Sequence, residues 1–404
     1  MVSLGEDGQR KRARVMKIEA IFLDFVQLPL KSPFQTSFGT ERVKSTWLVT
    51  VVADGVRGYA ESVADVEPLY SEETHASVYF AWKNALVPRL VNESLTDPKD
   101  VDALFAPIRG NRMAKAALEM AIWDWFSRSQ GVPLWRLLGG DPARQRIPVG
   151  VSIGIQSSPE QLIAVAMDYL SQGYRRLKVK IQPGTDVEPL ERLRAAVGSE
   201  VPIMADANSA YRLSDVDRLK ALDALNLMMI EQPLAEDDIV DHSVLARALK
   251  TPVCLDEAIR SSDDARKAIQ LGACAVINVK VGRVGGHQMA RQVHDVAASH
   301  GVPVWCGGML ETGVGRAHNL HVSTLPNFRL PGDTSASDRY FFEDLVDPPF
   351  RLNPDGTLSV PEGPGIGVEP VPERLARFRT HHEEWRLTPH WRQGGIPHGT
   401  PTRF

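Results

Sequence analysis

The chain has 404 residues, 43% of them apolar and 24% charged, an ordinary soluble composition with length enough for two packed units. A formal charge of −4 gives no electrostatic basis for a nucleic-acid or anionic-membrane partner. No apolar run approaches the roughly 18 residues of a membrane span, and the start, MVSLGEDGQRKRARV, has no apolar segment of the secretory kind.

Residues 1–15, with the basic cluster Arg10, Lys11, Arg12 and Arg14, read as a flexible leader. KIEAIFLDFVQLPL (17–30) and STWLVTVVADGVRGYAESVA (45–64) look like antiparallel strands, the second turning at Asp54-Gly55. RMAKAALEMAIWDWFSRSQG (112–131) reads as an amphipathic helix ended by Gly131 ahead of Pro133. Beyond it a beat sets in. IPVGVSIGI (147–155), RRLKVKI (175–181), VPIMADAN (201–208), LNLMMIEQP (225–233), TPVCLDE (251–257), CAVINVK (274–280) and VPVWCGGML (302–310) alternate with helical segments. With an eighth short strand near FRLPG (328–332), the count approaches a closed (β/α)8-type barrel. Residues 380–404, rich in His, Pro and Gly, are expected to be an irregular tail. Cys254, Cys274 and Cys306 lack CxxC spacing and read as reduced, buried thiols of a cytoplasmic protein.

Polar groups stand where the barrel runs end. Lys180, Asp206, Glu231, Asp256 and Lys280 close runs two to six at intervals of 26, 25, 25 and 24 residues. One βα unit per interval puts five ionisable groups at one height around the C-terminal mouth, where such barrels do chemistry. Three carboxylates in one mouth repel each other unless a cation lies between them. An all-oxygen set suits a hard ion: Mg²⁺, or else Mn²⁺ or another divalent ion. Lys178 and Lys180 share a strand face, about 7 Å apart. At an effective dielectric near 20 their repulsion is roughly 2.4 kcal/mol, which lowers an ammonium pKa and makes a better base. Lys280 is expected across the mouth from Lys180. A carboxylate held between two lysines by a metal is suited to losing its α-proton. No P-loop or GxGxxG fingerprint offers another chemistry.

These residues resemble the enolase superfamily, and within it the branch of o-succinylbenzoate synthases and N-acylamino acid (N-succinylamino acid) racemases. The resemblance runs from about residue 16 to 378. It rests on LKVKI, MADANSAYRL, IEQPL, CLDEAI, NVKVGRVGG and GGMLETGVGRAHNLHVSTLPNF, with GVPLWRLLGG (131–140) at the join between domains. The implied fold is α/β: a (β/α)7β modified TIM barrel (145–344) with an N-terminal α+β capping domain (16–144), completed by about residues 345–378. The implied Mg²⁺ ligands are Asp206, Glu231 and Asp256, and the implied acid/base pair is Lys180 and Lys280. Lys178 would be the assisting charge and Asn208 a supporting residue. Arg283 matches an arginine of the racemase-containing group and, as a cation, could tune Lys280. Loops 30–40 and 66–74 would set specificity, shaping the acyl and side-chain pocket together with Ser152, Gly308, Leu310 and Phe34.

The resemblance implies dehydration to o-succinylbenzoate in menaquinone biosynthesis, racemisation of N-succinylamino acids, or both. A dipeptide epimerase or a muconate-type cycloisomerase uses the same scaffold. A non-catalytic binding barrel has no need of all five charged groups. The expected partner is a small-molecule carboxylate, with no nucleic acid or membrane, and the resemblance implies a homo-oligomer.

Overall fold

The computed structural model describes residues 15–388. β1 (Ala20–Gln35) and β2 (Thr40–Ala53) run antiparallel from Ala20↔Val52 to Gln35↔Thr40. β3 (Val56–Glu61) folds back on β2 through Asp54 and Gly55, whose φ angles of 48° and 70° suit a two-residue hairpin. α1 (Arg112–Gln130) lies so close to this sheet that a Cβ on Gly58 would collide with the Ala121 carbonyl and with Trp125. The sequence suggests a helix with one wet face. Instead α1 buries nearly every side chain, because barrel helices cover the side turned away from the sheet. Its acids therefore find partners inside the protein. Asp124 accepts the N–H groups of Tyr59 and Ile366 at 2.8 and 2.7 Å, and Glu119 those of His287 and Gln288 at 2.8 and 2.9 Å.

The barrel sheet contains β4 (Val151–Ile153), β5 (Leu177–Lys180), β6 (Ile203–Asp206), β7 (Ile230–Glu231), β8 (Val253–Leu255), β9 (Val276–Val279) and β10 (Val304–Cys306), parallel and in chain order. The segment around 328–332 closes the ring. On one side Arg329 N donates to Val304 O at 3.1 Å and Asp333 N to Cys306 O at 2.8 Å. On the other, Gly150 N donates to Gly332 O at 2.8 Å and Gly332 N to Pro148 O at 3.0 Å. Met204, Met229, Cys254, Val276 and Trp305 pack together as a separate cluster of barrel-strand residues, so the interior is filled. The three cysteines are free and buried. Among the described residues, no helix is long and apolar enough to cross a membrane.

The end of the chain departs from the sequence reading. The tail expected to be irregular from residue 380 begins as β11 (Arg379–Arg386), which pairs antiparallel with β1 from Ala20↔Arg386 to Val26↔Arg379. This completes a four-stranded capping sheet in the order β11-β1-β2-β3. Residues 389–404, and the leader up to residue 14, lie outside the described residues.

α2 (His287–Ser299) and α3 (Gly313–Val322) dock on the capping domain through histidines. His287 Nε2 lies 2.8 Å from His318 Nδ1, and His318 Nε2 donates to Tyr59 O at 2.9 Å. A third, His321, accepts from Trp135 N at 3.2 Å. Burial, ahead of every other cause, lowers all three pKa values, that of His318 to about 3 and that of His321 to about 4. The unfolded chain takes up protons below about pH 6.5 while these buried rings do not, so native stability falls as the pH drops. Between pH 6.5 and 5 each such histidine should remove about 2 kcal/mol. Urea midpoints should fall from pH 7 to 5, and His318→Asn should make that slope shallower by one proton. An unchanged slope would clear this histidine of any part in acid unfolding.

Candidate active site

Parallel register sets the ionisable groups side by side. Lys180 of β5 pairs with Asp206 of β6, and Asp206 with Glu231 of β7, while Asp256 and Lys280 directly follow β8 and β9. None of the five is more than 8% exposed. Buried charges are costly unless paired, and here the pairing is dense. Lys178 Nζ lies 3.0 Å from Asp206, 3.2 Å from Glu231 and 2.5 Å from Asp333, over the Trp305 ring. Lys180 Nζ donates to Asp206 Oδ2 at 2.7 Å and to Asn208 Oδ1 at 2.5 Å. Lys280 Nζ stands 2.8 Å from Asp256 and donates to Tyr70 Oη at 2.9 Å.

These surroundings push the two outer lysines in opposite directions. Burial lowers the Lys180 pKa, helped by the Lys178 and Lys280 charges and opposed by Asp206 and Glu231. The sequence argument gave first place to the neighbouring ammonium; in the folded protein burial comes first. Burial also disfavours charge on Lys280, but Tyr70, Glu257 and Glu231 outweigh it and hold its pKa above the ordinary lysine value. Lys178 is likewise raised: burial is overcome by Asp333, Glu231 and Asp206. A lysine that gives up its proton readily thus faces one that keeps it. In an eight-stranded ring, β5 and the end of β9 are diametrically opposed.

The three acids do not form a bare triad. Lys178 bridges Asp206 and Glu231, whereas Asp256 meets Lys280 and Arg283. Among the described residues, no group of three His, Cys, Asp or Glu is arranged as a ready metal cluster. Charge balance is the reason, since buried carboxylates draw in the cations beside them.

Lys178, Lys180 and Lys280 open onto one cavity of about 500 Å³ that is also lined by Ser152, Asn208, Gly308, Leu310 and Phe34. Leu310 sits at φ 55°, a left-handed backbone at the strand end. Phe34 packs edge-on against Tyr340, with ring centres 6.2 Å apart. The first specificity loop is mostly strand, and its tip touches the barrel: Gln35 O accepts from Ile155 N at 3.0 Å, and Ser37 Oγ donates to Asn208 O at 3.2 Å. Arg283 does not touch Lys280; it reaches Asp256 and Tyr70, the two partners of that lysine.

Three contributors escaped the sequence reading. Asp333, at the end of the closing strand, holds Lys178, accepts from Ser152 Oγ at 3.0 Å and faces Arg176 at 2.7 Å. The strand-end rule that found the other acids would have found it. Tyr70 lies inside loop 66–74 yet reaches the floor of the site. Glu257, beside Asp256, accepts from Asn208 Nδ2 at 2.9 Å.

A capped barrel with opposed lysines and carboxylates at its mouth defines a class of acid/base enzyme. Residues 17–139 match the mandelate racemase / muconate lactonizing enzyme N-terminal domain, and residues 161–374 match the enolase C-terminal domain-like family. The chain belongs to the enolase superfamily and is an enzyme of it. It is 52% identical to an o-succinylbenzoate synthase of Geobacillus kaustophilus, over 90% of this chain and 96% of that one. It is 47% identical to an N-succinylamino acid racemase of Thermus thermophilus, over 91% of this chain and 99% of that one. A solved enolase-superfamily structure from Listeria innocua superposes with a TM-score of 0.88 at 42% identity, covering 92% of this chain and all of that one.

Proposed function

We propose that this enzyme removes the α-proton of a metal-held small carboxylate, acting as an o-succinylbenzoate synthase, an N-succinylamino acid racemase, or both. One observation carries the reading: Lys180 and Lys280, from opposite sides of the ring, line one cavity with oppositely shifted pKa values. Relatives of both names, near half identical along nearly the whole chain, support it. The setting is a cytoplasmic homo-oligomer with no nucleic-acid or membrane partner.

The residues present fit a hard divalent ion, Mg²⁺ in this reading. The donors are all carboxylate oxygens, and Asp256 Oδ2 is buried without a hydrogen-bond partner although Lys280 stands 2.8 Å away. Asp206, Glu231 and Asp256 would hold the ion, which when bound supplies positive charge where the substrate carboxylate gathers negative charge. The chain's own groups do the rest. Lys180, neutral more readily than an ordinary lysine, takes the α-proton on its face. In dehydration Lys180 returns that proton to the departing β-hydroxyl, which leaves as water from the same face. Lys280 remains cationic beside the developing anion. In racemisation Lys280 instead delivers its proton to the opposite face. Lys178, locked among carboxylates, stays charged throughout. Phe34, Leu310 and Tyr340 wall the cavity with apolar surface.

The test is a paired assay with Mg²⁺: o-succinylbenzoate formation, and loss of the α-proton signal of N-succinyl-phenylalanine in D₂O. At least one should proceed. Turnover confined to dipeptides or muconate would overturn the assignment in favour of a sister activity, and silence across all of them would leave a binding barrel.

A further inference from the structure

Glu257 is 6% exposed and makes no ion pair, an unusual state for a carboxylate beside an active site. Its Oε1 accepts from Asn208 Nδ2 at 2.9 Å, and its Oε2 has no hydrogen-bond partner. The residue lines a second cavity, of about 590 Å³, separated from the first by Phe38, Leu69, Tyr70 and Asn208, which line both. In the reaction proposed above it transfers no proton and touches neither lysine.

Its chemistry nevertheless dictates something about the base. A carboxylate accepts and an amide nitrogen donates, so Asn208 must turn Nδ2 to Glu257 and therefore Oδ1 to Lys180. The Asn208 backbone is set for this, at φ 41° with its N–H on Asp206 Oδ1 at 3.1 Å. Lys180 Nζ then has two directions fixed, one by Asp206 Oδ2 and one by Asn208 Oδ1. The third direction, which becomes the lone pair when the amine is neutral, is left for the cavity. Were the amide reversed, Nδ2 would point at an amine that also donates, and Lys180 would swing away.

We propose that Glu257 is a positioning residue: by fixing the amide of Asn208 it aims the Lys180 lone pair at the substrate α-carbon. This rests on the function proposed above. Glu257 makes no hydrogen bond or ion pair with Lys280 and reaches it only as a nearby charge, so its positioning effect falls on the Lys180 face of the substrate.

The test compares α-proton exchange of the two enantiomers of N-succinyl-phenylalanine in D₂O, with Lys180→Ala and Lys280→Ala showing which enantiomer exchanges through which lysine. Glu257→Gln, which can donate as well as accept, should slow exchange on the Lys180 face about tenfold or more, as loss of groups that orient a reacting residue commonly does. Exchange on the Lys280 face, which loses only a nearby charge, should fall by clearly less than exchange on the Lys180 face. Glu257→Asp keeps an acceptor-only group and should recover part of the loss, and Asn208→Ala should reproduce the one-sided defect. A melting temperature beside each rate identifies a variant that has failed to fold. Equal losses on both faces, or no loss on either, overturn the positioning role. A wild type that exchanges neither enantiomer refutes the proposed function itself, and the two failures are told apart by the wild-type rate.

Discussion

An enzyme carrying Lys180→Ala is expected to lose o-succinylbenzoate formation and N-succinylamino acid racemisation together, each by about 10³-fold or more. Both reactions begin by drawing the α-proton onto this amine or end by returning one from it, and the lysine beside it cannot take over that role. Lys178 is the nearest amine, but three carboxylates hold its proton in place. The fold should survive, because Asp206 keeps Lys178 at 3.0 Å and so retains a counter-charge. A single-turnover assay with a circular-dichroism check separates lost chemistry from lost structure. Lys280→Ala offers a contrast. It too removes racemisation, yet it spares α-proton exchange on the Lys180 face. Full turnover in Lys180→Ala would refute the assignment of the base, whatever the fate of Lys280.

Much of this site was legible because the barrel repeats. Each βα unit ends its strand at the same height, so polar residues spaced by one unit had to meet at the mouth. Lys180, Asp206, Glu231, Asp256 and Lys280 did so. The pattern could not say how the charges would divide. Spacing treats the acids as one cluster, whereas side-chain reach joins Asp206 and Glu231 through Lys178 and turns Asp256 toward Arg283. Asp333 escaped although its short strand was read, because the interval of one βα unit that picked out the other five does not extend to it: it lies 53 residues beyond Lys280. β11 escaped for a different reason. RTHHEEWR is a polar edge strand whose partner, β1, lies more than three hundred residues away, and no local periodicity can announce such a pairing. α1 shows the reverse error: its amphipathic pattern suggested one buried face, while tertiary packing buried almost all of it.

Chelation of divalent ions should silence both activities, and Mg²⁺ should restore them, but activity alone does not say where the ion sits. Stability does. An ion that binds the native site and not the unfolded chain should raise the unfolding free energy by about 2.7 kcal/mol at a hundred times its dissociation constant. Asp206 and Glu231 end two strands and Asp256 directly follows a third, so the unfolded chain cannot assemble them and the full effect should appear as a higher melting temperature. The ion must share carboxylate oxygens that Lys178, Lys180, Lys280 and Arg283 already approach. That competition sets the affinity, so removing a single acid is costly. Glu231→Gln and Asp256→Asn should each lose the Mg²⁺-dependent rise, while Asp333→Asn, which alters the Lys178, Arg176 and Ser152 contacts but none of the three acids, should keep it. If the wild-type melting temperature ignores Mg²⁺ and turnover outlasts the chelator, the acids are counter-ions of the lysines rather than ligands, and the proton must be drawn off by the amines and their hydrogen bonds alone.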